Sequence, residues 1–111
     1  MANSGTNSPQ TALDLLVLTV LNRRGPLHGY GIASAIEGLS DDALRIDEGS
    51  LYPALHRMEE AGWITASWTV TENKRRARIY QLSRAGKKQL TTETDRWNSL
   101  STGVARVLRH A

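Results

Sequence analysis

The 111-residue sequence contains no cysteine and only three histidines. Without cysteine, neither a disulfide framework nor a thiolate metal site can form. The histidines, His28, His56 and His110, are far apart, and none has the spacing of a metal-binding pair such as H-x-x-x-H. His56 and Glu60 share a helix face, which we interpret as an i, i+4 ion pair. We therefore predict neither a metal site nor another cofactor.

Long apolar runs are missing as well. The most hydrophobic stretch, residues 12–21, is interrupted by Asp14, has no basic region before it and is far shorter than a membrane span. The sequence also lacks a nucleophile–base pair, a glycine-rich phosphate loop and a plausible pair of catalytic carboxylates. We therefore expect a cytoplasmic protein that is not an enzyme and has no membrane partner.

One stretch of the chain lacks acidic residues. Residues 73–92 contain no Asp or Glu and hold seven of the 14 basic residues. All 11 acidic residues lie elsewhere, so a basic stripe lies on an otherwise acidic body although the formal net charge is only +3. This asymmetry is typical of a surface that binds a polyanion. The alternative interpretation is an ordinary solvated charged face.

The beginning of the chain predicts an arm and two helices. Residues 1–10 have the composition of a disordered arm. Apolar residues then recur at helical spacing to about residue 24, and Thr11 with Asp14 indicates a capping box at the start of this first helix. A second, shorter helix is predicted from about Gly29, and His28 before it is interpreted as a turn or capping residue.

The middle of the chain predicts a short strand and a third helix. Residues 44–46 are long enough for one short strand. The helix that follows has Asp47 as its predicted N-cap and Gly62 as its stop. Its apolar stripe, spaced i, i+3, i+4, i+7, consists of Leu51, Ala54, Leu55 and Met58. Tyr52 and Pro53 lie on the other side of the opening turns, which an ordinary amphipathic helix does not require.

The period of the pattern changes from 3.6 to 2 after the third helix. Residues 63–70 and 77–83 predict two strands, and the polar, basic residues 71–76 between them can close a hairpin. Trp63 and Trp68 fall on opposite faces, so we expect at least one of them in the core. The remainder of the chain predicts one long last helix.

The order of these elements predicts an α+β, mostly α fold, namely a winged helix-turn-helix with a long C-terminal dimerisation helix. We assign residues 11–83 to the DNA-binding domain and residues 84–111 to the dimerisation helix. The third helix is expected to read the major groove, and the basic hairpin to contact the backbone or the minor groove. The expected partner is double-stranded DNA. The alternative is a winged-helix module that binds another protein and no specific DNA.

Three segments also carry a family resemblance. "HGYGI", "GSLYPALHRMEEAGWI" and "RRARIYQLSRAGKKQL" resemble, in order and spacing, the signature of the PadR family of bacterial transcriptional regulators. The resemblance covers about residues 11–108 and indicates a short-form member with a single helix after the wing. It implies that Tyr30, Tyr52 and the basic wing face DNA, and that the first and last helices hold a homodimer. The other interpretation of Tyr30 is a partly buried helix residue.

These arguments predict two sets of functional residues. The DNA-binding set comprises Tyr30, Ser50, Tyr52, Pro53, His56, Arg57, Lys74, Arg75, Arg76 and Arg78. The set expected between two copies of the chain comprises Leu15, Leu18, Leu90, Trp97, Leu100, Val104, Val107 and Leu108. Arg57 is expected to reach a guanine or a phosphate. Trp97 is expected to anchor the dimer, and its ring is a candidate site for a small aromatic effector. The predicted activity is repression from a palindromic operator.

Overall fold

A computed structural model describes residues 9–111, in which four helices accompany a three-stranded antiparallel sheet. The helices are α1 (Pro9–Arg24), α2 (Gly29–Leu39), α3 (Glu48–Glu60) and α4 (Arg84–His110). The strands are β1 (Leu27–His28), β2 (Ile64–Val70) and β3 (Arg76–Leu82). This arrangement confirms the predicted fold class. The predicted arm, residues 1–10, lies mostly outside the described residues.

The sheet has β3 at its centre, with β2 on one side and β1 on the other. The β2–β3 hairpin is the predicted wing, and it pairs in register from Ile64 opposite Leu82 to Val70 opposite Arg76. The strand predicted at residues 44–46 is wrong. Its backbone bonds differently, because the N–H of Ile46 donates to the carboxylate of Glu37 at 2.9 Å. The short strand is instead β1, which pairs with β3.

Helix starts follow the predicted caps at two places and depart from them at one. The Asp47 carboxylate accepts a hydrogen bond from the N–H of Ser50 at 2.9 Å, and His28 Nδ1 accepts one from the N–H of Gly31 at 2.9 Å. The predicted roles of Asp47 and His28 as caps are therefore confirmed. The predicted capping box is wrong, because α1 begins at Pro9 and Asp14 lies within the helix.

The core joins α1, α2, α3 and the sheet. The largest fully buried side chains are Leu18, Ile32, Leu51, Leu55, Met58, Ile64 and Val17. Leu18 thus packs entirely within its own chain, and its assignment to a dimer surface is wrong. Leu90, also predicted to contact a second copy, is partly buried against this same core. Trp63 is partly buried against this core and Trp68 is exposed, so the expectation that at least one of them lies in the core is met only in part.

Helix α4 starts against the sheet and then leaves it. The Ser83 hydroxyl accepts a hydrogen bond from the N–H of Gly86, and a Cβ on Gly86 would collide with the backbone carbonyl of Trp63. Only glycine allows this close approach. The 27 residues of α4 span about 40 Å. They help to make the chain elongated, at 56 × 29 × 24 Å. No helix within residues 9–111 is long and apolar enough to cross a membrane.

A charged pair joins α1 to α3, between a buried carboxylate and a partly exposed arginine. Arg57 Nη1 and Nη2 each lie 2.8 Å from an Asp14 carboxylate oxygen, and Asp14 is buried. These hydrogen bonds, helped by the charges of Asp14 and of Glu93 on α4, raise the pKa of the Arg57 guanidinium although burial opposes the rise. The expectation that Arg57 reaches a base or a phosphate is therefore corrected, because its terminal nitrogens hold α3 to α1.

Arg57→Leu is expected to destabilise the fold because it leaves the Asp14 carboxylate buried without its partner. The loss should be about 2–4 kcal/mol, between the value of an exposed pair and that of a fully buried one. Urea denaturation measures it. The double variant Asp14→Leu/Arg57→Leu should recover part of the loss, since no charge remains unpaired. Arg23→Leu, at an exposed arginine of α1, is the control. An Arg57→Leu protein as stable as this control would contradict the structural role.

Candidate nucleic-acid interface

One concave surface of about 920 Å³ lies between the start of α2, the start of α3 and the wing. We call it the wing concavity. Its main lining side chains are His28, Tyr30, Tyr52, Trp68, Arg75, Arg76, Arg78 and Tyr80. It thus brings together five of the ten residues predicted to bind DNA, although they lie on three separate segments of the chain.

The two predicted tyrosines stand at the helix side of the wing concavity. Tyr30 is 74% exposed, which rejects its interpretation as a partly buried helix residue. It stacks beside His28, with ring centroids 6.2 Å apart. The Tyr52 ring lies over Gly29, so closely that a Cβ built on Gly29 would be 2.7 Å from the Tyr52 hydroxyl oxygen. Because glycine has no side chain, Gly29 leaves the space that the Tyr52 ring occupies.

The wing supplies the cationic side of the concavity. Arg75, Arg76 and Arg78 line it, and Lys74 lies at the tip of the hairpin outside the lining. Lys74 has a φ of 60°, a left-handed conformation that non-glycine residues seldom adopt. Its N–H donates to the carbonyl of Thr71 at 2.9 Å and so helps to close the turn. The predicted basic tip therefore has a defined shape.

Three further predicted residues lie on α3 but do not line the wing concavity. Ser50, Pro53 and His56 are all exposed. The Ser50 hydroxyl bonds to the Asp47 carboxylate at 3.2 Å. His56 Nε2 lies 3.4 Å from a Glu60 oxygen, which confirms the predicted i, i+4 pairing. These residues extend the exposed face of α3 beyond the concavity.

Two lining residues have surroundings that sequence reasoning did not identify. Arg78 Nη2 bonds to the Glu59 carboxylate of α3 at 2.9 Å, so its charge is shared with the body of the domain. Tyr80 is buried at the floor of the concavity, and burial raises the pKa of its hydroxyl above the ordinary value.

The distal half of α4 carries a second candidate surface, which we call the α4 stripe. Its large apolar residues are exposed in the single chain, namely Trp97, Val104, Val107 and Leu108. Leu108 is 78% exposed and Trp97 is 47% exposed. Leu100 of the same stripe and Leu15 of α1 are half-buried. An apolar patch of this kind on a small protein is typical of an interaction surface.

Comparison with known proteins adds independent information. A protein of 37.1 kDa in transposon TN4556 of Streptomyces fradiae, itself uncharacterized, is 40% identical over 90 residues, which are 81% of this chain and 24% of that protein. The transcriptional regulator Rv3488 of Mycobacterium tuberculosis is 36% identical over 55 residues, which are 50% of each chain. The chain therefore spans about a quarter and a half of the lengths of these two relatives.

A solved structure agrees with these sequence matches. A transcriptional regulator from Clostridium thermocellum superposes with a TM-score of 0.79 and 26% identity over 87% of this chain and 93% of that one. The sequence profile of the transcriptional regulator PadR-like family matches residues 17–92, which are more than half of the chain. The winged helix, its long last helix and the matched residues lead to one assignment: this chain belongs to the PadR-like family of transcriptional regulators.

Proposed function

We propose that this PadR-like regulator binds a palindromic DNA operator as a homodimer and represses transcription there. The observation that carries the proposal is the wing concavity, which collects Tyr30 and Tyr52 with three arginines of the wing. Winged helices bind DNA with the start of the recognition helix in the major groove and with basic residues beside the backbone. Repression then requires nothing beyond occupancy of the operator by the protein.

The charges around the concavity favour a polyanion. Within residues 9–111, neither Lys74, Arg75 nor Arg76 has a carboxylate within ion-pair distance. One acid, Glu72, lies among them in the lining. Three unpaired cations against one carboxylate leave a positive wing, and phosphates of a DNA backbone would neutralise it and release counterions. A surface for another protein has no comparable need for this cluster.

The α4 stripe supports a second copy of this chain as the dimer partner. A monomer would leave Val104, Val107 and Leu108 in water, and burying them against the same stripe of another copy would be favourable. A two-fold arrangement of this kind uses one surface on both chains. It would also present two recognition helices to successive turns of the major groove.

A palindromic operator is the first expected outcome. Selection from random duplexes should yield an inverted repeat with half-site centres about one DNA turn, roughly 34 Å, or a multiple of it apart. Scrambling one half of the selected repeat is the control, and it should weaken binding strongly. A single asymmetric motif would contradict two-fold recognition. Failure to enrich any sequence, combined with binding to no duplex, would favour the protein-interaction module instead.

Tyr52 and the wing should affect binding in different ways. Tyr52→Ala should reduce discrimination between operator and random DNA by roughly 1–3 kcal/mol if a base contact is lost. Replacing Lys74, Arg75 and Arg76 by alanine should weaken binding to all DNA and flatten the log–log salt dependence by about 0.9 per lost phosphate contact. Fluorescence anisotropy at several salt concentrations measures both effects. An unchanged salt slope in the wing variant would show that the wing does not touch DNA.

Gly29 offers a sharper form of this experiment. Gly29→Ala should displace the Tyr52 ring and reproduce the loss of discrimination without removing any contacting group. Gly38→Ala is the matched control, because it makes the same substitution in α2 with nothing within 4 Å of the new Cβ. Equal discrimination in the two alanine variants would mean that the position of Tyr52 does not matter for recognition.

Trp97 should anchor the proposed dimer. Trp97→Ala is expected to weaken dimerisation by about 2–4 kcal/mol, since a large aromatic ring at the centre of an interface contributes strongly. Sedimentation equilibrium measures the change, with Thr102→Ala as the control on the opposite side of α4 from Leu100 and Val104. A dimerisation constant equal to that of the control would contradict a place for Trp97 in the interface.

We extend the proposal to a small aromatic effector that stacks on Trp97 at this interface. Phenols should then quench the fluorescence of the wild type and have less effect on Trp97→Ala.

A further inference from the structure

Trp68 exposes its indole on the wing, where a large apolar ring in water needs a reason. The side chain is 56% exposed and lines the wing concavity. Trp68 lies directly opposite Arg78 in the β2–β3 ladder, and Arg76 lies two positions further along β3. Because side chains alternate along a strand, all three project from the same face of the hairpin.

The two arginines are both in contact with this indole. The guanidinium carbon of Arg76 lies 4.5 Å from the centroid of the Trp68 ring, and that of Arg78 lies 5.7 Å from it. Both distances are within the range of cation–π attraction, which is strongest for tryptophan. The indole therefore holds two like charges near each other at the edge of the concavity.

The partners of the two arginines differ. Arg78 is also bonded to Glu59, which neutralises its charge and ties it to α3, the proposed recognition helix. Within residues 9–111, Arg76 has no carboxylate at ion-pair distance. The Trp68 ring is thus the contact that restricts the long Arg76 side chain, whose charge remains available to an anion.

We propose that Trp68 is a positioning residue of the wing, which holds the Arg76 guanidinium on its ring so that it meets a backbone phosphate beside the recognition helix. The inference rests on the proposed DNA binding. Ordering a flexible arginine on binding costs conformational entropy, and a side chain already restricted loses less of it. A chain of contacts then connects α3 to the proposed phosphate-binding edge of the wing. It runs from Glu59 through Arg78 and Trp68 to Arg76.

The experiment is a double-mutant cycle on the selected operator, measured by fluorescence anisotropy over a range of salt. Arg76→Ala should flatten the log–log salt slope by about 0.9, the value for one phosphate contact. Trp68→Ala should weaken binding roughly two- to fivefold and lower the slope in the same direction, although it removes no charge. In the Arg76→Ala background, Trp68→Ala should have no further effect, because the residue acts through Arg76.

Two conservative variants and one control separate this role from a structural one. Trp68→Phe keeps an aromatic face and should retain most of the affinity, whereas Trp68→Leu, which keeps bulk without that face, should behave as Trp68→Ala. If Trp68→Ala does not fold, the comparison of Trp68→Phe with Trp68→Leu still tests the proposal. Thr69→Ala, at the exposed neighbour paired with Ala77, should bind as the wild type does.

The outcomes distinguish this inference from the function on which it rests. Equal losses from Trp68→Ala in the wild-type and Arg76→Ala backgrounds would overturn positioning, since Trp68 would then act independently of Arg76. A Trp68→Ala protein with wild-type affinity and slope would also overturn it, while DNA binding by the wild type would leave the proposed function standing. A wild-type protein that binds no duplex would overturn both.

Discussion

The ion pair between Asp14 and Arg57 sets the geometry on which the rest of this molecule depends. A buried carboxylate is unfavourable unless a cation is bonded to it, and here the cation comes from α3. The apolar contacts between α1 and α3 tolerate sliding and rotation, but two directed hydrogen bonds of 2.8 Å do not. Glu93 places a charge of α4 near the same guanidinium. The ion pair therefore orients α1 and α3 relative to each other, and Glu93 adds a favourable charge from α4.

Fixing α3 in this way determines what its outer face presents. With Arg57 directed toward α1, the opening turns leave Tyr52 over Gly29 and Pro53 in solvent. The back of the helix holds the wing through Glu59 and Arg78. The helix and the wing are thus not independent contacts but two edges of one surface. In the proposed complex, recognition of bases and neutralisation of phosphates would consequently share the same rigid frame.

The elements of this fold could be predicted because their signals are local. Asp47 and His28 cap the helices they precede, and the change from period 3.6 to period 2 marks the wing. The failures have a different origin. Asp14 and Arg57 are 43 residues apart, so no window contains both, although an acid within an apolar run was itself a sign that a cation lay nearby. Helix α1 is apolar on more than one side, which is why the pattern did not assign Leu18 to the core. A two-residue strand such as β1 has no period to detect.

Helix α4 behaves mechanically as a lever with unequal arms. Its first turns are fastened by Ser83 and Gly86, and the side chain of Glu93, further along the same helix, is buried. About 25 Å of helix continues beyond Glu93, against about 14 Å before it. A tilt of about 10° around this point displaces the far end by roughly 4 Å and the fastened end by roughly 2 Å. A displacement at the distal end of α4 would therefore reach its first turns, and the sheet packed against them, reduced by about half.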